Sequence, residues 1–418
     1  MGPPSDSARG GRRAAELRLA AIDPARYAAT RNHLDGAVTR LSPYIRHGVV
    51  TLAEVRDAVL PWGRAGEKLI NELGWRDYWQ RLWQQLGDGI WHNREPLKTG
   101  HPPEAYAPEL PADIAAAATG LACIDGLATE LIQTGWLHNH ARLWLASYLV
   151  HWRRLRWQAG ARWFLQHLLD GDPASNNLSW QWVASSFSTK PYIFNRANLE
   201  RFSSGRYCAN CPKALAGCPF EASYEVLQTR LFRHGAPSPA IASAAAPGAE
   251  PPPPLPPLAA APLRRPLVWV HGEALGPANP ALRAHPTAAA VFVFDRDLIA
   301  GRTATTGGPP LAPGRLRFLR ECLAELPLQV REGEVVAELL AAAAAAGADG
   351  LVSSRAVDPR FGVIAAQLAA VLPLQVLEPD PFVPLPSAGP EAPDLRRFSR
   401  YWRRAEPLVW ASAQATAP

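Results

Sequence analysis

Residues 234–265 run from HGAPSPAIASAAAPGAE through PPPPLPPLAAAPLR. A stretch this rich in Pro and Ala has little to bury, and its prolines donate no backbone hydrogen bond, so it reads as an extended, semi-rigid linker. The chain must therefore build its cores on either side of it. The two sides differ in texture. Of the 15 Trp, 12 lie before residue 190. Beyond the linker, short β-rich runs alternate with helical patterns.

On the first side, Lys68 to Leu86 (KLINELGWRDYWQRLWQQL) carries Leu69, Leu73, Trp79, Trp83 and Leu86 at spacings of three and four, the apolar face of a long helix. Trp157 to Trp182 reads WQAGARWFLQHLLDGDPASNNLSWQW. A helix ending on Leu168-Leu169 must stop at the following D-G-D-P, because Pro disfavours helix in the residue before it and Gly permits the reversal. A second helix then carries Asn176 and Asn177 near its start, with Trp180 and Trp182 just beyond. This spacing aims two carboxylates, Asp170 and Asp172, and two amides at one concave spot lined by indoles. The ordinary alternative is a polar helix corner with core tryptophans. Upstream, Ser42-Pro43 fits an N-cap followed by Pro at the first helical position. Thr39, Arg40, Leu41 and Ser42 then form either a loop whose amides and hydroxyls hold a diphosphate or an ordinary capped helix start.

On the second side, LVWV (267–270) and AVFVF (290–294) predict buried strands. Helix 314–326 leads to LQV (328–330), helix 334–346 to GLVSS (350–354), and helix 360–371 to LQVLE (374–378). That βαβ series predicts a parallel sheet. The expected divisions are a leader with one short helix over 1–22, a helical domain over 23–233, the linker, an α/β domain over 266–384 and a tail over 385–418.

A formal charge of +6 and a pI near 9.2 suit a phosphate-backbone partner without requiring one. No apolar run approaches ~18 residues free of charge, and residues 1–20 lack a continuous apolar stretch. Neither a membrane span nor a secretory signal is expected, and the expected location is cytoplasmic. Five Cys in such a chain point to metal or redox chemistry rather than a disulfide framework. Cys208, Cys211 and Cys218 stand as C-x-x-C followed by a third Cys after six residues, a spacing that lets thiolates converge on one centre. A fourth ligand is needed to close it. Cys322, in FLRECLAEL, reads as a core thiol.

Asp170, Gly171, Asp172, Asn176, Asn177, Trp180, Gln181 and Trp182 match D-G-D-x-x-x-N-N-x-x-W-Q-W, and the segment closely resembles the flavin-cradling core of the DNA photolyase and cryptochrome family. The resemblance implies an all-α FAD-binding domain in which Arg142, from WLHNHAR, pairs with Asp170 against the flavin, and Asn176 faces flavin N5. Tyr27 and Arg31 resemble the family's Y-x-x-x-R. Thr39, Arg40, Leu41 and Ser42 fall in its phosphate loop, although Val38 replaces a Thr and the loop after Arg31 is one residue shorter. Glu72, Trp75, Asn139 and Trp182 would line the lesion pocket, Glu72 on a base edge and Trp75 stacking on it. Trp180 and Trp157 match the first two members of an electron-transfer chain; a third is not assigned, Trp91 being one candidate.

The Y-C-x-x-C and later C-P-F also resemble bacterial iron–sulfur photolyases. That likeness implies a four-iron four-sulfur cluster on Cys123, Cys208, Cys211 and Cys218, with zinc as the competing metal. LVWVHGEALGPANPAL resembles the opening of the family's α/β, Rossmann-like antenna domain, and FSRYWRRAEP (398–407) its interdomain stretch. In the family that domain comes first, so the implied architecture is circularly permuted, with a second antenna chromophore left open. The expected activity is light-driven repair of pyrimidine dimers in damaged DNA by a monomer. Asn139 favours cyclobutane dimers and the iron–sulfur likeness favours (6-4) lesions; Leu143 and Leu178-Ser179 depart from the repair pattern. Alternatives are a cryptochrome-like blue-light receptor without repair and a zinc-stabilised flavin reductase.

Overall fold

The computed structural model describes residues 9–215, 217–233, 262–303, 309–387 and 389–415. Most of the expected linker and residues 1–8 of the leader lie outside the described residues. The chain forms two compact units that interleave along the sequence. One takes Ala29–Val38 and the chain from Gly89 up to the linker; the other takes Arg9–Ala28, Thr39–Asp88 and the described residues after the linker. Residues 39–88, expected inside the helical domain, thus pack with the parallel sheet.

The first unit is helical. Its helices are Ala122–Thr134, Asn139–Ser147, Trp157–His167, Pro173–Ala184, Arg196–Ser203 and Tyr224–Leu231. The first of these ends at Gly135, whose φ of 67° is the left-handed conformation that Gly adopts without steric cost. The helix from Trp157 stops at His167, with Leu168 already extended, slightly earlier than the sequence suggests. The next helix begins where the D-G-D-P pattern places it: Asp172 is its N-cap, accepting from the Ser175 amide at 3.0 Å, and Pro173 sits at its first position. Trp144, Trp157, Trp163, Phe164, Trp180 and Phe194 fill the core between these helices. Each indole removes on the order of 150–250 Å² from water, so they dominate the cohesion of the unit.

The second unit contains the sheet. Strands β1 (Pro266–Val270), β2 (Ala290–Asp295), β3 (Gln329–Gly333), β4 (Gly350–Ser354) and β5 (Leu374–Leu377) are all parallel, in the order β3-β2-β1-β4-β5. The central strands β1 and β2 are nearly uniform apolar runs and β4 (GLVSS) is buried throughout, as strands covered on both faces are, whereas edge strand β3 is largely exposed. Helices Pro313–Leu323, Val335–Ala346 and Pro359–Ala369 make the connections, within a few residues of the expected spans.

Residues 39–88 join this unit for identifiable reasons. Thr51 and Glu54 form a reciprocal capping box at the start of helix Leu52–Val59. His47 Nδ1 lies 2.8 Å from the Gly272 carbonyl, Leu275 N donates to the His47 carbonyl at 2.8 Å, and Arg46 pairs with Glu273 at 2.9 Å. A Cβ on Gly48 would lie 2.2 Å from the Glu273 carbonyl, so only Gly lets the two loops approach this closely. Helix Glu67–Leu86 buries the expected Leu69, Leu73, Trp79 and Trp83. It also holds the C-terminal helix Phe398–Ala415: Phe398 lies between Trp75 (3.8 Å, 10°) and Trp402 (5.6 Å, 15°) in a three-ring stack. Tyr401 donates to Asp77 Oδ2 at 2.6 Å, and Arg81 Nε donates to the same oxygen at 2.6 Å. Among the described residues, no helix is long and apolar enough to cross a membrane.

Candidate functional site

The D-G-D corner places its two carboxylates differently. Asp170, with a side chain 4% exposed, receives two contacts from Arg142 Nη2, at 3.0 and 2.8 Å, while Arg142 Nε donates to the Leu137 carbonyl at 3.0 Å. A buried carboxylate needs such a charge-assisted partner, and the Leu137 carbonyl fixes the direction of the guanidinium. Asp172 binds both the amide and the hydroxyl of Ser175, the latter at 2.6 Å, and so sets the start of the second helix. Asn176, one turn in, donates to the Ala161 carbonyl and to Asn177 Oδ1, each at 3.1 Å. At this corner Asp170 thus meets Arg142, Asp172 caps the second helix, and Asn176 faces the helix before it.

Two buried polar atoms at this corner, Asn177 Nδ2 and Trp180 Nε1, have no hydrogen-bond partner among the described residues. Buried donors without partners are costly, about 1–3 kcal/mol each, so the corner is incomplete in polar terms and suits a ligand with acceptors. Trp180 packs edge-on against Phe164 (4.9 Å, 72°) and lies flush on Gly160. Gln181 is fully buried; it accepts from Arg94 N and donates to the Ile90 carbonyl, each at 2.9 Å, tying residues 90–94 to the helix.

That tie positions side chains to which sequence reasoning gave no settled role. Trp91 lies parallel to Trp157 (6.4 Å, 8°), and Trp157 Nε1 donates to Asn93 Oδ1 at 2.7 Å. The Arg162 guanidinium sits 4.9 Å over the Trp91 ring. Only residue type pointed to Trp91, and nothing local pointed to Asn93 or Arg162. Asn139 is exposed at the first turn of its helix, and Trp182 is 36% exposed beside Tyr192 (5.5 Å). Arg31 belongs to the same unit and is half-buried.

The second unit carries the other expected residues. Tyr27 lies in helix Pro24–Thr30. Arg40 adopts a left-handed φ of 51°, uncommon for a residue with a Cβ, and Thr39 Oγ1 accepts from Leu41 N at 3.4 Å. Ser42 is not the N-cap that its sequence context suggests. Leu41 takes that position and Ser42 is the first helical residue, with no side-chain cap, because Pro43 is already inside the first turn. Glu72 pairs with Lys68 at 3.2 Å one helical turn away. Trp75 is half-buried with one face covered by Phe398.

Cys123, Cys208, Cys211 and Cys218 line a single recess together with Arg196, Leu199, Tyr207 and Phe220. The Tyr207 ring brings the two parts together: it lies flush on Gly126, where a Cβ would be 2.7 Å from Cε1, and so carries Cys208 toward the helix bearing Cys123. Burial, reinforced by the neighbouring sulfurs, pushes the Cys123 thiol up to about 12. Burial and then Glu200 push Cys208 up to about 11. These groups are poor free nucleophiles, and a bound cation would reverse that preference. Among the described residues no three His, Cys, Asp or Glu side chains are close enough to hold a metal ion, so the four sulfurs surround the recess without converging on one point. Cys322 is a buried core thiol accepting from Gly11 N at 3.2 Å, as its apolar helix pattern implies.

Residues 69–219 match the family model for the FAD binding domain of DNA photolyase. The chain is similar to the deoxyribodipyrimidine photo-lyase of Streptomyces griseus, 36% identical over 151 residues, covering 36% of this chain and 32% of that protein. The same-named protein of a Synechococcus species is 33% identical over 172 residues, 37% of this chain and 31% of the other. The chain thus spans about a third of the length of these curated relatives. A crystal structure of a bacterial class III photolyase from Agrobacterium tumefaciens aligns at 26% identity with a TM-score of 0.42, over 54% of this chain and 51% of that one, a likeness too loose to establish topology.

Proposed function

We infer that this chain, whose residues 69–219 are of the DNA photolyase and cryptochrome family, binds FAD and repairs pyrimidine dimers in damaged DNA with blue light. The observation that carries the reading is the Arg142–Asp170 pair at the head of a corner with two unpartnered buried donors, inside the matched segment. Tyr27, Arg31, Arg142, Asp170, Asp172 and Asn176 would hold the cofactor. Thr39, Arg40, Leu41 and Ser42 would hold its phosphates, and the left-handed Arg40 is the kind of backbone strain that functional loops keep. When bound, FAD supplies a light-absorbing ring able, in its reduced form, to give an electron to a lesion. Asn176 would offer its amide to the ring edge, and the Arg142–Asp170 pair would set the charge there. Trp180, Trp157 and Trp91 would conduct electrons inward from the surface, the parallel Trp91–Trp157 rings supporting Trp91 as the third member. Glu72, Trp75, Asn139 and Trp182 would receive a lesion flipped out of the helix.

Cys123, Cys208, Cys211 and Cys218 would hold a four-iron four-sulfur cluster. Zinc would draw four sulfurs to within about 2.3 Å of one point; a wider cluster suits sulfurs that surround a recess. We further read the order of the chain as a permutation, with helical flavin residues ahead of an α/β, Rossmann-like antenna domain over 266–384. At the C-terminal ends of β1 and β4, where ligands bind in such sheets, the loop at 271–276 already receives His47 and Gly48. That packing does not support a second chromophore there.

A cryptochrome-like receptor is favoured by one observation: Phe398 covers a face of Trp75 that would otherwise stack on a lesion. The test is an absorption spectrum of anaerobically purified protein, followed by illumination with oligonucleotides carrying either lesion, single-stranded and duplex. Flavin bands with restored pyrimidines support the lyase. Flavin bands with both lesions untouched sink it in favour of the receptor, and absence of flavin sinks both.

A further inference from the structure

The loop carrying three of the four recess cysteines has no regular structure of its own. Between helices Arg196–Ser203 and Tyr224–Leu231 its described residues form only turns, with Cys211 N donating to the Cys208 carbonyl and Glu221 N to the Cys218 carbonyl. Such a segment keeps its shape only if something outside it holds it. One guanidinium does much of this. Arg196 Nη1 donates to the Ala214 carbonyl at 2.9 Å and to Glu221 at 2.8 Å, its Nε donates to Glu200 at 3.0 Å, and its backbone N donates to the Phe220 carbonyl at 2.9 Å. Each contact alone is partly exposed and worth little. Together they fasten the loop, at Ala214 and at Phe220-Glu221, to the first turn of one helix. Arg196 is also the one cation among the described residues lining the recess.

We propose that Arg196 is the positioning residue of the four-cysteine centre, fixing the loop of Cys208, Cys211 and Cys218 opposite Cys123. This rests on the reading of the cysteines as a metal centre. Lys at this position keeps the charge but lacks the planar fork that reaches a carbonyl and two carboxylates at once.

The full-length chain, Arg196→Met and Arg196→Lys are purified anaerobically, and iron, zinc and acid-labile sulfide per chain are measured, with the rate of metal loss to a chelator. Metal-stripped proteins are then labelled with a maleimide and the four cysteines followed separately by mass spectrometry. Arg196→Met is expected to lose metal about tenfold faster and to label Cys208, Cys211 and Cys218 about tenfold faster, the scale of one to two lost charge-assisted hydrogen bonds. Cys123, on its own helix, keeps its wild-type labelling rate. Arg196→Lys lies between. Should Arg196→Met fail to fold, Glu221→Gln removes one contact and is expected to speed labelling about two- to threefold. Wild-type metal retention and labelling in the variants overturns the proposal. A wild type holding neither iron nor zinc overturns the metal-centre reading instead, and the labelling rates still decide the role of Arg196.

Discussion

At Gly160 two helices of the first unit meet closely, and Gly160→Ala measures how firmly that contact is built. A Cβ there would lie 2.3 Å from Trp180 Cη2, 2.6 Å from Cζ3 and 3.0 Å from Cζ2. Carbon atoms prefer about 3.5–4.0 Å, so the indole must move by more than an ångström or the helices must part. Trp180 is 2% exposed and wedged against Phe164, and a rigid bicyclic ring cannot yield by rotating one bond at its tip. Overpacking of this kind costs about 1–3 kcal/mol, and the severity of the clash points to the upper end. Against it stands the gain of about 1 kcal/mol when Ala replaces Gly inside a helix. The expected net loss is about 2 kcal/mol, a roughly thirtyfold fall in the folding constant at 25 °C. Guanidinium unfolding followed by far-UV circular dichroism would report it as a lower midpoint with an unchanged slope. Trp180→Phe should relieve the clash, so the double variant should recover about 1 kcal/mol relative to additivity. A Gly160→Ala protein as stable as the wild type would mean that the indole moves freely, and the case for a rigid electron-transfer position at Trp180 would go with it.

The remaining expectations concern charge and burial. Tyr401→Phe removes a hydroxyl that donates at 2.6 Å to the buried Asp77 and should cost about 1.5–3 kcal/mol in the same unfolding assay; a loss below ~0.5 kcal/mol would show that Arg81 alone satisfies that carboxylate. Asp170→Asn leaves Arg142 without its charge partner and should destabilise the first unit by about 3 kcal/mol while lowering flavin per chain, and full flavin occupancy would contradict the assigned role. Burial pulls His151 down to about 4, its Nε2 3.0 Å from the Val183 carbonyl. The unfolded chain then binds the extra proton between about pH 6.5 and 4, so this contribution is whole above pH 6.5 and fades as pH falls through that window. It amounts to about 3 kcal/mol at most, and His151→Gln should flatten the wild-type fall in unfolding free energy between pH 7 and 4.5. An equally steep variant would assign the acid sensitivity to other groups.

What the sequence disclosed followed the range of its signals. Apolar runs located all five strands to within a few residues, because most are local patterns read against a covered face; the exposed edge strand β3 overlaps only the end of its LQV run. The D-G-D-P corner was equally plain, since Asp172 caps the Ser175 amide and Pro173 keeps the residue before it out of the helix. Ser42 misled for a related reason. The Ser-Pro pair fits an N-cap, yet which residue leads the first turn depends on how residues 39–41 arrive, and Arg40 arrives in a left-handed conformation. The grouping of residues 39–88 with the sheet had no local sign at all. It depends on Gly48 meeting Glu273 and on Trp75 meeting Phe398, pairs separated by hundreds of residues.

The same distinction governs the site. Motif residues such as Asp170 and Asn176 can be named in advance because their offsets are fixed by one helix–turn–helix. The residues that give them a working environment come from elsewhere: Trp91 stacks on Trp157 only because Gln181 holds the backbone at Ile90 and Arg94, and Arg196 bears on the cysteines only because its guanidinium reaches Ala214 and Glu221. A motif thus specifies which atoms are available, and long-range packing decides what they can do. Phe398 puts this most sharply. Its ring lies at 3.8 Å on the indole assigned to stack with a lesion, so the helix from Phe398, more than three hundred residues further along the chain, controls how much of Trp75 any incoming base can use.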